Sequence, residues 1–577
     1  MDKIDTSKVA IAPFEATPLD VISAVSSNAR ATFRTHKTKD LQWRLVQLRK
    51  LYWALEDFKP NFVAALEKDL HKGGYEALFT EIDWVKNDCI FMINNLEKFA
   101  ATTKLKSPDV PATYSLMNFR IKKEPLGTAL IIGPYNFPVQ LLLAPLVGAI
   151  GAGCTAVIKP SELTPASAMV IKEMLESRLD RNAFAVVNGG IPETNALMNE
   201  KWDKVFFTGS AQVGSIIARK AAETLTPVCL ELGGRNPAFV TKKANLALAA
   251  RRLMWGKTLN AGQVCMSHNY VLVDREVVDT FIDFLKVAYK DMFPNGAKAS
   301  KDLSRIVNAR HFSRIKKMLD ETKGKIVMGG QMDESELFIE PTAVLVDSMD
   351  DPMMQEESFG PIFSIYPVDT LDQALDIAHE VHRTPLALMA FGDKSETSRS
   401  MSFPPHPFPF PSPPYPSPPF PLPPIHLPNT NHLYLPTVLN EMTSGGACIN
   451  DAYFHGAVHT VPFGGVGDSG WGAYRGKASF DTFTHFRTVS ETPSWMDRFL
   501  RVRYMPYDWS ELRFLQRLTD KSPNFDRQGT VAKGSAYWMW FFLGLGTKGG
   551  GAKGALKRWL VVLAGWYLSV LVKNRRA

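Results

Sequence analysis

A chain of 577 residues that is 45% hydrophobic can bury more than one core, so two or more domains are expected. Five cysteines, odd in number and without a Cys-x-x-Cys pair, argue against a disulfide framework or a cysteine-based zinc site and imply a reducing compartment. The net charge of +8 is unevenly placed: from Arg498 onward there are roughly fifteen Lys and Arg against four Asp and Glu, which with the apolar content there suits a membrane surface and not nucleic acid.

The opening residues are charged and carry no apolar secretory core. From Leu19 to Ala101 the pattern is helical, and Leu41–Phe58 repeats apolar residues at Leu41, Leu45, Leu48, Leu51, Trp53 and Leu55 above a solvated, charged face. A Pro- and Lys-rich passage then leads into alternating residues, and 106–124 reads as a hairpin projecting from the body. Strand-like runs follow at Ala129–Ile132, Thr155–Ile158, Ala185–Val187 and Val205–Phe207, separated by helices. That alternation predicts βαβ units and a parallel sheet, an α/β fold.

Ligands bind such sheets beyond the carboxyl ends of the strands. Asn136, Lys159, Glu162, Gly209 and Ser210 all fall there. The turn from Gly209 to Gly214 departs from G-x-G-x-x-G, yet glycine and serine opening a helix can still contact a pyrophosphate. Lys159 and Glu162 can bracket a ribose; the plain alternative is two solvated charges at a strand end.

A second α/β section runs from Ala238 to Pro385, just after Leu230-Glu231-Leu-Gly-Gly-Arg235. It contains Asn260-Ala-Gly-Gln-Val-Cys265, a turn expected between a helix at Leu246–Thr258 and a strand at Tyr270–Val273. A thiol at such a junction, with its sulfur near a helix N-terminus, would have a lowered pKa and act as a nucleophile. A buried structural cysteine is the bland alternative. A thiol and the Glu231 carboxylate on neighbouring loops are the parts needed to form a thioester and hydrolyse it. Further on, Glu357 precedes Phe359 by two residues, so a carboxylate can anchor a sugar hydroxyl while the ring packs on a flat cofactor.

From about Ser400 to Thr437 more than a third of the residues are proline. Helix and sheet are excluded there, and the stretch reads as an inert surface insertion of the kind a retained intron leaves, with a proline-binding domain as the alternative partner. Its flanks, Phe391–Arg399 and Val438–Thr443, would join into one helix without it. His455 and His459 lack partners at ligand spacing and are read as structural, and no metal site is expected. The tail holds two apolar blocks, Tyr537–Leu545 and Trp559–Val572. The second is shorter than the ~20 residues that comfortably span a bilayer, but its tryptophans and basic flanks suit a membrane interface.

Taken together, EPLG…GPYNFP, KPSEL, FFTGSAQVG, ELGG, GQVC, QEESFGP and PFGGVGDSG, in order over Glu124–Arg487, resemble the aldehyde dehydrogenase superfamily. The Asn308–Phe312 segment and SGWGAYRGKASFDTFTHFR are similar to its class 3 branch. With the apolar tail, the likeness extends to membrane-bound fatty aldehyde dehydrogenases of a fungal type.

The resemblance implies a Rossmann-type NAD(P) domain (1–232), a catalytic α/β domain (233–447) and a small β bridging or oligomerisation segment (448–490), followed by a membrane-associating tail (491–577). It implies Cys265 as nucleophile, Asn136 as oxyanion donor and Glu231 as the base that activates water. It places Lys159 and Glu162 at the adenosine ribose, Gly209, Ser210 and Gly214 at the pyrophosphate, and Glu357 with Phe359 at the nicotinamide ribose. A carboxylate at Glu162 repels a 2′-phosphate, which favours NAD, with NADP also admitted. The implied reaction is oxidation of a medium- or long-chain fatty aldehyde to its acid by a homodimer. The implied location is intracellular, on the endoplasmic reticulum, outer mitochondrial membrane or lipid droplet, with the catalytic domain facing the cytosol. The alternatives are an inactive scaffold on the same fold, an enzyme for aromatic or short-chain aldehydes, and a CoA-acylating relative, which would lack a carboxylate at Glu231.

Overall fold

In the computed structural model the described residues are 4–106, 109–392, 437–498 and 500–519, with a few single positions beyond. The proline-rich stretch and most of the two apolar blocks of the tail therefore lie outside the described residues. The chain divides into two units, Met1–Thr103 with Ile121–Thr488, and Lys104–Arg120 with Val489–Ala577. In the second, the described elements are short 3-10 turns and a helix at Trp509–Thr519.

Two sheets organise the first unit. One has the order Gly470–Trp471, Val228–Glu231, Lys204–Thr208, Thr128–Ile132, Thr155–Lys159, Phe184–Val186. Its pairings are parallel except for Gly470–Trp471 against Val228–Glu231. Every residue of Thr128–Ile132, Thr155–Lys159 and Lys204–Thr208 is buried. Helices cover both faces of such a sheet, so its strands read as continuous apolar runs and not as alternation. Register puts Ile132 opposite Lys159 and Phe207, and Thr208 opposite Glu231. Lys159, Thr208 and Glu231 thereby reach the same edge. The strand order reverses at Thr128–Ile132, and the loop carrying Asn136 leaves from that strand, at the switch point where doubly wound sheets bind ligands.

The second sheet runs Lys325–Met328, Thr342–Leu345, Ile362–Val368, His268–Asp274, Asn236–Val240, Ala387–Phe391, Gly446–Ile449. It is antiparallel only at the Lys325–Met328 edge. The sequence-predicted strands lie within a residue or two of the observed ones. Lys159 and Thr208 extend theirs because the ladder continues beyond the apolar run. Of the flanks expected to join into one helix without the insert, Phe391 closes a strand paired with Val240, Thr437–Glu441 is helical, and 393–399 lie outside the described residues. The passage 106–124 holds a 3-10 helix at Ala112–Met117 before the strand Arg120–Pro125.

One buried ion pair ties the helical layer to the sheet. A π-helical turn, Leu78–Ile82, interrupts the helices on either side and turns Glu81 inward. Glu81 accepts from Lys72 Nζ at 2.7 Å, with both side chains fully buried, and from the N–H groups of Val139 and Gln140 at 3.0 and 2.9 Å. Those are unpaired donors at the start of the helix Gln140–Ala152, so the carboxylate caps that helix from another element. Lys72 also donates to the Asn136 carbonyl at 3.3 Å and lies 4.3 Å from the Phe137 ring centroid. Lys72→Met leaves Glu81 buried without its cation, which costs about 3–5 kcal/mol. The variant is expected to lose several degrees of melting temperature, and adding Glu81→Gln recovers part of it. An unchanged melting curve for Lys72→Met would remove the pair from the account.

Candidate active site

The cysteine turn opens with a backbone that resists its own sequence. Asn260 and Ala261 are left-handed, at φ 50° and 51°, and Gly262 follows at 72°. For residues with a Cβ this region costs about 1–2 kcal/mol each. Hydrogen bonds offset it. Asn260 Nδ2 donates to the carbonyls of Asn136 and Gln263 at 2.8 and 3.1 Å. Gln263 Nε2 donates back to Asn260 O and to Arg305 O, and Gln263 Oε1 accepts from Val307 N–H. At Gly262 an added Cβ would lie 2.1 Å from the Gly360 carbonyl, so only glycine permits this approach to the loop that carries Glu357.

Asn136 is buried, and its Nδ2 donates to Gln263 O at 2.9 Å. An amide has two N–H groups, so one fixes the side chain to the cysteine turn and the second remains for a ligand. Cys265 follows two residues after Gln263. Its carbonyl accepts from Asn236 Nδ2 at 2.8 Å, as does that of Ser267 at 2.9 Å, while Asn236 Oδ1 accepts from Ala387 N–H. A single buried amide thus clamps both sides of the sulfur-bearing residue. Asn236 was not singled out from sequence; an asparagine opening the apolar run Asn236-Pro-Ala-Phe-Val was the available signal.

The expected lowering of the Cys265 pKa is not observed. No helix begins beside Cys265: the turn passes into the strand His268–Asp274, and the next α-helix starts at Val278. Burial around the sulfur, with the Glu357 and Glu231 carboxylates adding to it, pushes the thiol up to about 12; Arg475 and the residue's own N–H act the other way. The residue keeps partial solvent access while its sulfur is crowded.

Glu231 ends its strand 3% exposed, and both carboxylate oxygens lack a hydrogen-bond partner among the described residues. Burial raises its proton affinity well above the ordinary value, opposed by Arg475. A carboxylate enclosed without partners beside a thiol is poised to hold a water or take a proton. Arg475 was passed over in sequence, since an arginine in Tyr-Arg-Gly-Lys looks like surface.

The remaining expected residues fall at the same edge. Lys159 is buried and its Nζ meets Glu162 at 3.0 Å. Ser210 caps the helix Ala211–Ala222, accepting from Val213 N–H, and Gly209 N–H donates to Glu231 O. Gly214 faces Leu232, where a Cβ would sit 2.6 Å from a methyl group. Glu357 accepts from Gly234 N–H at 3.4 Å, and burial pushes it up to about 7. Its loop is held by Arg314, which donates to the carbonyls of Glu357 and Ser358, and by Lys257, which bonds Ser358 Oγ and His268 O. Phe359 is left-handed at φ 43° and packs edge-on to Tyr135. Lys257 is a further residue that sequence reading missed.

A dinucleotide fits this edge. The helix Ala211–Ala222 offers its N-terminus at the end of a parallel strand, Lys159 with Glu162 offers paired hydroxyl partners, and a Cβ on Gly233 would meet the Glu357 carboxylate at 2.7 Å. Among the described residues no group of three or more His, Cys, Asp and Glu could hold a metal ion.

The aldehyde dehydrogenase family model matches residues 3–398, up to the proline-rich stretch. The chain is 80% identical over 571 residues to a β-apo-4′-carotenal oxygenase of Neurospora crassa, covering 99% of each. It is 39% identical over 468 residues to a 4,4′-diaponeurosporen-aldehyde dehydrogenase of Staphylococcus aureus, covering 81% of this chain and 93% of that one. A solved substrate-bound state of Staphylococcus aureus AldH superposes with a TM-score of 0.76 at 36% identity, covering 86% of this chain and 99% of the other. With two α/β sheets, a thiol between an amide donor and a carboxylate, and a family match over most of its length, the chain belongs to the aldehyde dehydrogenase family, whose members oxidise aldehydes with NAD(P).

Proposed function

We propose that this enzyme oxidises a long, apolar polyene aldehyde of the apocarotenal class to its carboxylic acid. The observation that carries the reading is the 80% identity, over nearly the whole of both chains, to a relative named for β-apo-4′-carotenal. The structure supports it with a mostly apolar groove of about 270 Å³, lined by Tyr75, Leu78, Phe79, Trp84 and Ala457 with Asp83, Asn87 and His459 at its polar positions. Tyr75 and Phe79 stack at 6.3 Å and stand exposed, Tyr75 at 80%. Flat exposed rings suit a flat conjugated chain. The fatty aldehyde expected from sequence shares the apolar chain but not the conjugation.

In this reading the Cys265 sulfur, as thiolate, adds to the aldehyde carbon. The remaining Asn136 N–H, with the Cys265 backbone N–H, holds the oxyanion; one such donor is worth about 3–4 kcal/mol. Bound NAD(P) supplies the hydride acceptor that turns the adduct into a thioester. Lys159, Glu162, Gly209, Ser210, Gly214, Glu357 and Phe359 would hold that cofactor. Glu231 takes a proton from water as the water attacks the thioester, and its raised proton affinity makes it a stronger base once ionised. The sulfur leaves as thiolate and the acid is released. The second oxygen of the product therefore comes from water.

We extend the proposal to a homodimer, to the domain limits 1–232, 233–447, 448–490 and 491–577, and to attachment through the basic tail to an intracellular membrane such as the endoplasmic reticulum. Among the described residues no helix is long and apolar enough to cross a membrane. An interfacial contact needs no such span.

Three measurements decide the chemistry. Initial rates with β-apo-4′-carotenal, hexadecanal and benzaldehyde are expected to give the highest kcat/KM for the first; a preference for benzaldehyde ends the polyene reading. With ¹⁸O-labelled water the acid gains one label, and with ¹⁸O₂ none; label from dioxygen would refute hydrolysis. Glu231→Gln is expected to release a burst of about one reduced cofactor per site and then slow at least a hundredfold, and equal burst and steady rates would remove Glu231 as the base.

A further inference from the structure

Arg475 is 2% exposed and sits at φ 74°, a conformation a side chain rarely adopts. The backbone is forced there: Gly476 follows at 53°, where a Cβ would meet the Thr460 carbonyl at 2.1 Å, and Arg475 N–H donates to Ser479 Oγ at 2.7 Å. The strain turns the guanidinium inward. Its carbon lies 4.3 Å from the Phe463 ring centroid, 4.7 Å from Trp84 and 5.3 Å from Tyr474. Nη1 donates to Gly456 O, and Nε meets no acceptor among the described residues. Three rings around a cation hold it charged without neutralising it, and arginine does not give up its proton.

The cage is attached to both catalytic loops. Gly456, which grips the guanidinium, packs so closely on Met266 that a Cβ would lie 2.3 Å from its sulfur; Met266 is the neighbour of Cys265. Tyr474 packs edge-on to Phe206 at 5.3 Å, Phe206 pairs with Cys229, and Gly470 pairs with Glu231 itself. Trp84 also lines the apolar groove. The cage that holds the cation thus packs on the neighbour of Cys265, on a strand beside that of Glu231 and on the apolar groove.

The groups that face it are Cys265, Glu231, Asp88, Tyr453, Tyr474, His455 and His459. Burial raises the three acids other than Cys265 and Glu231 as well, Asp88 to about 8, and keeps the two tyrosines neutral. Burial lowers both histidines, His455 to about 4, so neither adds positive charge near neutral pH. On Cys265, Glu231 and Asp88 the Arg475 charge opposes burial.

We propose that Arg475 is a positioning residue for this reaction, its ring-caged guanidinium stabilising the thiolate of Cys265 and the carboxylate of Glu231 in their reacting forms. The inference rests on the reading in which those two groups do the chemistry, and its test can fail independently of that reading.

The test follows iodoacetamide alkylation of Cys265 by peptide mass spectrometry in the full-length protein at about pH 7, 8 and 9, with Cys265→Ser as the blank. The wild-type rate is expected to rise about tenfold per pH unit, since the thiol titrates above that range. Arg475→Gln is expected to alkylate about tenfold more slowly at each pH, the equivalent of one pKa unit, and Arg475→Lys to recover most of the rate. An Arg475→Gln rate equal to wild type overturns the proposal, as does Arg475→Lys as slow as Arg475→Gln, which would assign the effect to ring packing. Should Arg475→Gln not fold, Arg475→Lys against Arg475→His at pH 8 makes the same comparison: lysine faster supports the charge, and equal rates overturn it. If complete alkylation of wild-type Cys265 leaves aldehyde turnover intact, the catalytic reading itself fails, whatever the Arg475 series shows.

Discussion

The braid of amide hydrogen bonds among Asn136, Asn260 and Gln263 is the constraint on which the site depends. It holds two consecutive left-handed residues in place and draws the loop after Thr128–Ile132 onto the turn that carries Cys265. Those loops come from different sheets, so the braid is also what registers one sheet against the other at the reacting centre. A donor for an oxyanion is useful only when held before the charge develops. Asn136 meets that condition because one of its N–H groups is already committed to Gln263 O. The buried Lys72–Glu81 pair backs the same loop from behind, at the Asn136 carbonyl and the start of the next helix.

Much of the scaffold was legible in the residues. The apolar run before Gly133-Pro134 predicted the strand at Thr128–Ile132 to within one residue, because a parallel strand covered on both faces needs an unbroken apolar sequence. The helix Leu246–Thr258 was found with its observed limits, its Asn245 cap marking the start. Lys159, Gly209 and Ser210 were placed at strand ends because polar residues directly after apolar runs mark where a strand leaves the core. What failed were features set by distant contacts. The π-helical turn at Leu78–Ile82 adds a residue to a helical pattern whose composition looks ordinary. Ala261 in the left-handed region has no local signal, since alanine favours neither that conformation nor a turn.

The thiol is the sharpest case. Sequence supplied a turn and a cysteine, and the inference of a lowered pKa needed a helix terminus that the chain does not place there. What surrounds the sulfur instead is set by three-dimensional packing: two carboxylates that disfavour the thiolate and one arginine that favours it. No spacing in the sequence relates position 265 to positions 231, 357 and 475. Asn236 was missed for the same reason, since its side chain bridges strands that lie about 150 residues apart in sequence.

A resting thiol held protonated has a consequence for an enzyme whose substrate is an apolar aldehyde. A permanent thiolate would be open to any electrophile that reaches it, and to oxidation. A thiol disfavoured from ionising by its burial, with Glu357 and Glu231 adding to it, is protected until the local charge balance changes. A ring-caged arginine limits how strongly those carboxylates can oppose ionisation, because its own charge does not titrate in the accessible range. The same cation opposes the burial that raises the proton affinity of Glu231, the group that must later accept a proton from water. A quiet sulfur at rest and a ready base after acylation are opposing demands, and one fixed charge acts on both groups. This also accounts for the unusual backbone at Arg475: left-handed geometry at a side chain with a Cβ is retained where the surrounding structure holds it for a function.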